Sequence, residues 1–171
     1  MARKPLGRAT IGVVLAAALL AIPATASADT GPPPGPVPVF GTITVSIGRS
    51  ASLTARILAT VPVDVTCTTN ALAPSITPDS TFLAVDVSQA AGRSIAHGFG
   101  FSSALFACDG VTHHLLVPVL ADGCCPSPPF HGGTAIVNAY AEADWGPFDP
   151  NTGQPAGAAI GTAGPQVIRL H

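Results

Sequence analysis

Charged and aromatic side chains are scarce in this 171-residue sequence: Asp, Glu, Lys and Arg together make up 9% of it, and aromatic residues 5%. The only lysine is Lys4, close to the N-terminus. Most of the chain therefore lacks a basic patch that could hold phosphate groups, which argues against nucleic acid and anionic lipid headgroups as partners. No apolar run reaches the roughly 20 residues that a membrane-spanning helix needs, so we expect no membrane insertion of the mature chain.

Sequence signatures of catalysis are missing as well. The sequence contains no G-x-S-x-G nucleophile elbow, no H-E-x-x-H zinc helix, no phosphate-binding glycine loop and no dinucleotide fingerprint. Acidic residues are rare in the strand-like segments, where the paired carboxylates of a glycosidase would project. The sequence predicts a protein that is not an enzyme, with no catalytic residues and no cofactor.

Residues 1–28 have the pattern of a cleaved signal peptide. Three basic residues precede an apolar run, Ile11–Ile22, and a small-residue cleavage motif follows at Ala26-Ser27-Ala28. Cleavage between Ala28 and Asp29 would leave four arginines against nine acidic residues, a net charge of −5. The sequence predicts a secreted, mildly acidic protein.

The mature chain divides into a short N-terminal segment and one domain. Residues 29–39 are rich in Pro and Gly, which predicts a flexible N-terminal segment. From residue 40 to 171, apolar and polar side chains alternate in short runs separated by turn signals such as Asp109-Gly110. About seven or eight antiparallel strands are expected, in a single immunoglobulin-like or Greek-key β-sandwich.

One predicted strand is apolar on both faces. If Val117 and Val119 face the core, the alternating residues Leu116, Pro118 and Leu120 face outward. The second apolar row predicts either burial on both faces or a docking patch.

The aromatic residues of the C-terminal half allow two interpretations. Phe130, Tyr140, Trp145 and Phe148 could form an exposed platform for a sugar or peptide, or they could fill the end of the sandwich. The chain has only one Trp and one Tyr, which argues against a glycan surface built from their stacked rings.

Four cysteines in an exported domain favour disulfide bonds. Cys67 and Cys108 each end a predicted strand, and a bridge between them would resemble the inter-sheet disulfide of immunoglobulin domains. The adjacent Cys124 and Cys125 could form a strained vicinal bridge, pair separately with the other two, or stay free.

Two groups of residues suggest metal ligands. Glu142, Asp144, Asp149 and Asn151 are the only concentration of hard oxygen ligands, and the segment Asp149–Gly153 matches the start of a D-x-N-x-G calcium loop. Gln154 and Ile160 depart from that loop, so a solvated turn is the competing interpretation. The second group comprises the adjacent pair Cys124-Cys125 and the five histidines, without the spacing of ordinary zinc sites: His97, His113, His114, His131 and His171.

Three short motifs lie in the predicted domain: Gln89-x-x-Gly92-Arg93-x-Ile95-Ala96-x-Gly98-x-Gly100, Cys108-Asp109-Gly110 and Phe130-x-Gly132-Gly133-x-Ala135. Together they resemble a group of small secreted actinobacterial immunoglobulin-like proteins. The resemblance spans about residues 40–171. It implies export and a β-sandwich fold, and it brings no activity with it.

These observations favour an exported structural or interaction module that meets an extracellular protein or a component of the cell envelope. The alternative is an extracellular protein that binds a small ligand or a metal, either calcium or a transition metal. In that case the loop from Cys124 to His131 or the loop from Glu142 to Gly153 would hold it.

Overall fold

The structure is a computed structural model that describes residues 35–102, 106–122 and 127–171, all of them within one compact unit, Pro34–His171. The expected signal peptide, its cleavage site, residues 29–34 and the Cys124-Cys125 pair lie outside the described residues. Eight strands form the fold: β1 (Gly41–Ile47), β2 (Ser50–Thr54), β3 (Leu58–Thr69), β4 (Ser80–Ala91), β5 (Ser94–Ser102), β6 (Asp109–Ala121), β7 (Gly133–Trp145) and β8 (Gly157–Leu170). Among these residues no helix is long and apolar enough to span a membrane.

The core follows the alternation of the sequence. In β1 every second side chain is buried, and in β3 Val61, Val63 and Val65 are fully buried between half-exposed neighbours. This happens because successive side chains of a strand point to opposite faces, so a period of two places all the apolar ones on one face. The prediction of an all-β domain is confirmed.

The strands close into a barrel instead of forming the predicted antiparallel sandwich. Seven strands pair in the ring β2-β3-β6-β5-β4-β7-β8, and β1 pairs with β3 beside β2. The ring closes where β2 runs parallel to β8, with Ser50 opposite Arg169 and Ala51 opposite Leu170. The predicted immunoglobulin-like sandwich was the wrong architecture. The alternation within single strands could not reveal the barrel, because closure depends on a parallel contact between segments that are far apart in the sequence.

The expected disulfide between Cys67 and Cys108 is present, with 4.2 Å between the two Cα atoms. Its position differs from the immunoglobulin pattern. Cys67 lies in β3, Cys108 immediately precedes β6, and Thr68 pairs with Asp109. The bridge therefore links neighbouring strands of one sheet, and the comparison with an inter-sheet disulfide was wrong.

Two large aromatic side chains fill the barrel interior. Phe130 and Trp145 are buried, and the Trp145 indole donates a hydrogen bond of 2.9 Å to the Ser75 carbonyl. Phe40 meets Trp145 edge to face, with ring centroids 6.1 Å apart. Of the two interpretations of these aromatic residues, the filling role holds for Phe130 and Trp145.

The end of the Pro/Gly-rich segment contacts the barrel. Val39 forms a parallel bridge with Ala158, and the Ala158 amide donates to the Pro38 carbonyl. The Asn70 side-chain amide also donates to the Val39 carbonyl at 2.8 Å. Pro38 and Val39 are thus fixed on β8 and on the end of β3.

Candidate functional site

Large apolar side chains cover the outside of three neighbouring strands, β4, β5 and β6. Their exposed fractions range from 38% for Phe82 to 69% for Leu116. Soluble domains expose few contiguous apolar patches of this kind unless the patch binds something. We call this surface the apolar face; its members are Phe82, Phe99, Phe101, Leu116 and Leu120.

The inner residues of β5 and β6 explain why these side chains point outward. Gly98 and Gly100 occupy the inner positions of β5, where a side chain would collide with the backbone of β6. Phe99 and Phe101 alternate with them and so must face out. In β6, Val117 and Val119 are buried.

The predicted outward row on β6 is confirmed. Leu116, Pro118 and Leu120 are all exposed, so the described residues do not bury this strand on both faces. Burial on both faces is therefore not seen in the described part of the chain, and a docking patch stays a prediction.

Phe82 and Phe101 give the apolar face a fixed aromatic part. Their rings stack with centroids 6.3 Å apart and an interplanar angle of 22°. Stacked rings have few rotamers to lose, so the contact surface is largely ordered before anything binds. These exposed rings differ from the aromatic platform that the sequence suggested. Of the residues proposed for that platform, Phe148 is exposed and Tyr140 is half-buried.

A charged cluster borders the apolar face at His97. The imidazole Nε2 lies 2.6 Å from Asp86 Oδ2, and Nδ1 lies 2.6 Å from Asp122 Oδ2. The hydrogen bond to Asp122 raises the pKa of His97, partial burial opposes the rise, and Asp86 adds to it. The His97 imidazole, held between the two carboxylates, ties β4 and β5 to the residue that follows β6.

A second group of polar side chains lies along the outer face of β7. The Tyr140 hydroxyl donates to Glu142 Oε2 at 2.7 Å, and the Ser80 hydroxyl donates to Asp144 Oδ2 at 2.9 Å. Burial raises the pKa of Tyr140 to about 12, and the hydrogen bond to Glu142 adds to the rise. Burial also raises the pKa of Asp144; the Ser80 hydrogen bond opposes this, and the charge of Glu142 adds to it.

The four residues proposed for calcium fall into two places. Glu142 and Asp144 interact on β7. Asp149 Oδ1 instead accepts a hydrogen bond from the Asn151 amide in the turn between β7 and β8. In the described part of the chain, no group of three or more His, Cys, Asp and Glu residues is placed to hold a metal ion.

Calcium binding by these residues stays a prediction, and it has a direct test. Calcium should raise the melting temperature of the protein if the site forms, and Asp149→Ala should abolish that rise. A melting temperature that calcium leaves unchanged would contradict the interpretation.

The histidines are distributed over separate positions. His114 Nδ1 contacts Asp64 Oδ1 at 2.6 Å on the outer surface, whereas His113 packs against Phe106 on the other side of β6. Adjacent residues of a strand point to opposite faces, so these two histidines do not readily join the same site. His131 contacts two backbone carbonyl oxygens, one of them Ala90 O at 3.0 Å.

Sequence reasoning did not identify the outward rings of Phe82, Phe99 and Phe101, nor the cluster at His97. The signal for the rings was present: glycines at alternate positions of β5 face a neighbouring backbone, so the larger residues between them must face out. The cluster at His97 had no such signal, since Asp122 reaches it only through the pairing of β5 with β6.

Comparisons with known proteins add no family to this description. No protein-family model, no curated protein and no solved structure matches this chain.

Proposed function

We propose that this protein is an exported, non-enzymatic interaction module that docks onto a protein of the cell envelope or its surroundings through the apolar face. The observation that carries the proposal is the row of five large apolar side chains on adjacent strands of a closed barrel. Burying such side chains gains roughly 25 cal/mol for each Å² removed from water, and their aromatic members are of the type that dominates binding energy at interfaces.

Charge around the apolar face favours a particular kind of partner. In the sheet, Phe99 lies opposite Asp86 and Phe82 lies opposite Glu142, so carboxylates flank the rings. We expect the partner to present an apolar patch bordered by Lys or Arg, because such a border complements these carboxylates and orients the encounter.

Export is the second part of the proposal. The signal-peptide pattern of residues 1–28 supports it, as does the resemblance to small secreted actinobacterial proteins. A disulfide between Cys67 and Cys108 is compatible with an oxidising, extracellular location. The mass of the protein recovered from the culture medium should correspond to a chain that begins at Asp29, and an intact N-terminus would contradict the proposed cleavage.

Site-specific crosslinking tests the docking surface. A photoreactive benzophenone side chain at Phe101 or Leu116 of the full chain, expressed in its host, should give one discrete adduct with an envelope or extracellular protein. The same group at Thr112, which is exposed on β6 away from the apolar face, should not give this adduct.

A charged substitution within the apolar face tests whether the adduct depends on that surface. Leu120→Glu should remove the adduct from both positions without lowering the melting temperature, since Leu120 is 60% exposed. Equal adducts from position 112, no adduct from positions 101 and 116, or enzymatic turnover that depends on one polar residue would each overturn the proposal.

A further inference from the structure

A hollow of about 350 Å³ lies beside the apolar face, on the outer surface of β4, β7 and β8. It exists because Ala84 is a small residue with larger neighbours: Ala84 pairs with Tyr140, and Asp86 pairs with Asn138 one row further on. Its volume is at the lower end of the roughly 300–1,000 Å³ of small-molecule sites, which suits a ligand the size of one ring.

The lining of the hollow combines four polar side chains with an aromatic ring, three alanines and a glycine. Phe99, which is 49% exposed, forms the aromatic wall. The polar lining is diverse in its hydrogen-bonding chemistry: a carboxylate that accepts, an amide that both donates and accepts, and two hydroxyls. These groups belong to Asp86, Asn138, Tyr140 and Thr162.

Contacts with neighbouring residues fix the side chains of Asp86 and Tyr140 in the lining, and both keep an oxygen that can accept a further hydrogen bond. His97 Nε2 contacts Asp86 Oδ2 at 2.6 Å, which orients the carboxylate, and the second carboxylate oxygen is a further hydrogen-bond acceptor. The Tyr140 hydroxyl donates its proton to Glu142, so its oxygen can still accept. Among the described residues, no hydrogen bond engages the Asn138 side-chain amide.

A β-bulge aims Asn138. The pairing of β7 with β8 shifts at this residue, so that Gly164 and Pro165 together lie opposite Asn138. Gly164 has φ +105°, and a side chain there would crowd Asn138 Oδ1 and the Val137 carbonyl. Bulges of this kind occur preferentially where a strand must redirect a side chain toward a site.

The charge of the hollow restricts the ligand class. Asp86 is the only ionisable acid or base in its lining apart from the Tyr140 phenol, and Glu142 lies next to that phenol. No lysine or arginine lines it. His97 pairs with Asp86 from outside the lining, so an anionic ligand such as a phosphate, sulfate or uronate would meet the carboxylate and find no cationic side chain to contact in the hollow itself.

From this geometry we infer a binding site for a single neutral pyranose ring, stacked by its C–H face on Phe99 and hydrogen-bonded through its hydroxyls to Asp86 and Asn138. A pyranose presents an apolar C–H face and a rim of hydroxyls that both donate and accept, which matches an aromatic wall opposite mixed polar groups. The hollow shares Phe99 and Asp86 with the surroundings of the apolar face, whereas Phe101, Leu116 and Leu120 do not line it, so substitutions at those three residues separate sugar binding from docking.

Titration by NMR tests the site on the full mature chain labelled with ¹⁵N. The probes are methyl β-glucopyranoside, methyl β-galactopyranoside and methyl α-mannopyranoside. At least one should shift the amide signals of Ala84, Asn138 and Thr162 along a saturable curve. Asn138→Ala and Phe99→Ala should each weaken that binding by about tenfold or more, the loss expected from one good polar contact or one stacked ring.

Phe101→Ala is the matched control, since Phe101 is an equally accessible ring on the same strand but lies outside the hollow. It should leave sugar affinity unchanged while it weakens crosslinking through the apolar face. No saturable shift with any of the three glycosides would overturn the inference, as would binding that survives in both Asn138→Ala and Phe99→Ala. Tighter binding of glucuronate than of the glucoside would overturn the neutral class.

Discussion

Gln89 is a buried side chain whose hydrogen bonds are all made inside the barrel wall. Its Nε2 donates to the His131 carbonyl at 2.8 Å, and its Oε1 accepts from the His131 amide at 2.9 Å. A second contact from Nε2 reaches the Thr134 carbonyl at 3.3 Å. The side chain thus takes the place of backbone pairing between the end of β4 and the residues before β7.

Gln89→Leu should lower the free energy of unfolding by about 2 kcal/mol, because the leucine fills the space but leaves buried backbone groups of residue 131 without partners. Urea denaturation measures the change. Gln154→Leu, in the turn before β8, should change stability by less than about 0.5 kcal/mol. Equal losses in the two variants would contradict this role of Gln89.

The turn between β2 and β3 contains two residues in an unfavourable backbone conformation. Ala55 has φ 48° and Arg56 has φ 62°, a region in which L-residues other than Asn, Asp and Gly are uncommon. Arg56 compensates in part, because its Nε donates to the Phe130 carbonyl at 3.2 Å.

Ala55→Asn should stabilise the protein by about 0.5–1 kcal/mol, since Asn tolerates this conformation better than Ala. Thermal denaturation of the purified protein should show the higher melting temperature. Ala71→Asn is the control: Ala71 also lies in an exposed turn, but its φ is not positive. A gain of the same size at position 71 would show that the effect has nothing to do with φ.

At the scale of the strands, β5 depends on glycine. Gly100 approaches β6 so closely that an added Cβ would overlap the Pro118 carbonyl oxygen and lie 2.9 Å from Val119 Cα. At Gly98, the ring of Phe130 occupies the space that a side chain would need. Glycine at these two positions lets β5 lie directly against the backbone of β6 and the ring of Phe130.

Gly100→Ala should lower the free energy of unfolding by about 1–3 kcal/mol, because backbone atoms of β6 would have to move. Gly132→Ala is the matched control, since the nearest atom to an added Cβ there is Leu170 O at 3.8 Å. We expect the control to differ from the wild type by less than about 0.5 kcal/mol in chemical denaturation. A tolerated Gly100→Ala would contradict the close approach of the two strands.

The same strand shows where sequence reasoning stopped. Alternation correctly separated Ile95, His97, Phe99 and Phe101 from the small residues between them, but alternation does not say which set faces the core. The usual preference for large apolar residues inside favours the rings, and the structure has the reverse. Close backbone approach decided the matter, and it involves the next strand, β6, whose placement against β5 the alternation of β5 does not specify.

Local patterns predicted most of the strands, and distant contacts decided how they assemble. The apolar alternation in β1, β3 and β4 was sufficient to place their core residues. Closure of the ring depends on two residue pairs between β2 and β8, more than 100 positions apart. Neither segment has a pattern that identifies the other, so the sequence could not distinguish a barrel from a sandwich.

The candidate site shows the same division between local and distant information. The outward row of β6 could be predicted because it lies within one strand. The hollow beside Ala84 combines residues of β4, β5, β7 and β8, and the cluster at His97 combines three segments. Their chemistry appears only when the register of the whole sheet is known.

At the scale of the whole molecule, loss of protons from His97 and Asp144 should lower the free energy of unfolding as the pH rises. The folded state raises the pKa of His97, so the stabilisation is complete below about pH 6.5 and is lost as pH rises through the folded value. The pKa of Asp144 is raised as well, so its contribution is lost as pH rises from 3.8 through its folded value.

The free energy of unfolding should therefore decrease as the pH is raised from 6 towards 9, and His97→Gln should flatten this dependence. The effect should stay below about 1 kcal/mol, because water screens an imidazole that is about half exposed. His171→Gln, at the exposed end of the chain, should preserve the slope. Urea denaturation across this pH range measures it, and an unchanged slope in His97→Gln would exclude His97 as the titrating group.

Closure of the ring between β2 and β8 also limits how this protein can meet others. An open sheet offers its outer strand as a template, on which a peptide or a second copy can add another strand through backbone hydrogen bonds. In the ring each of the seven strands has a neighbour on both sides, although β2 and β8, like β5 and β6, share only two residue pairs, and β1 outside the ring pairs with β3. A molecule that meets the ring therefore contacts mainly the side chains on its outside. Change of a few outward residues could then alter what the barrel recognises without disturbing the backbone that supports it.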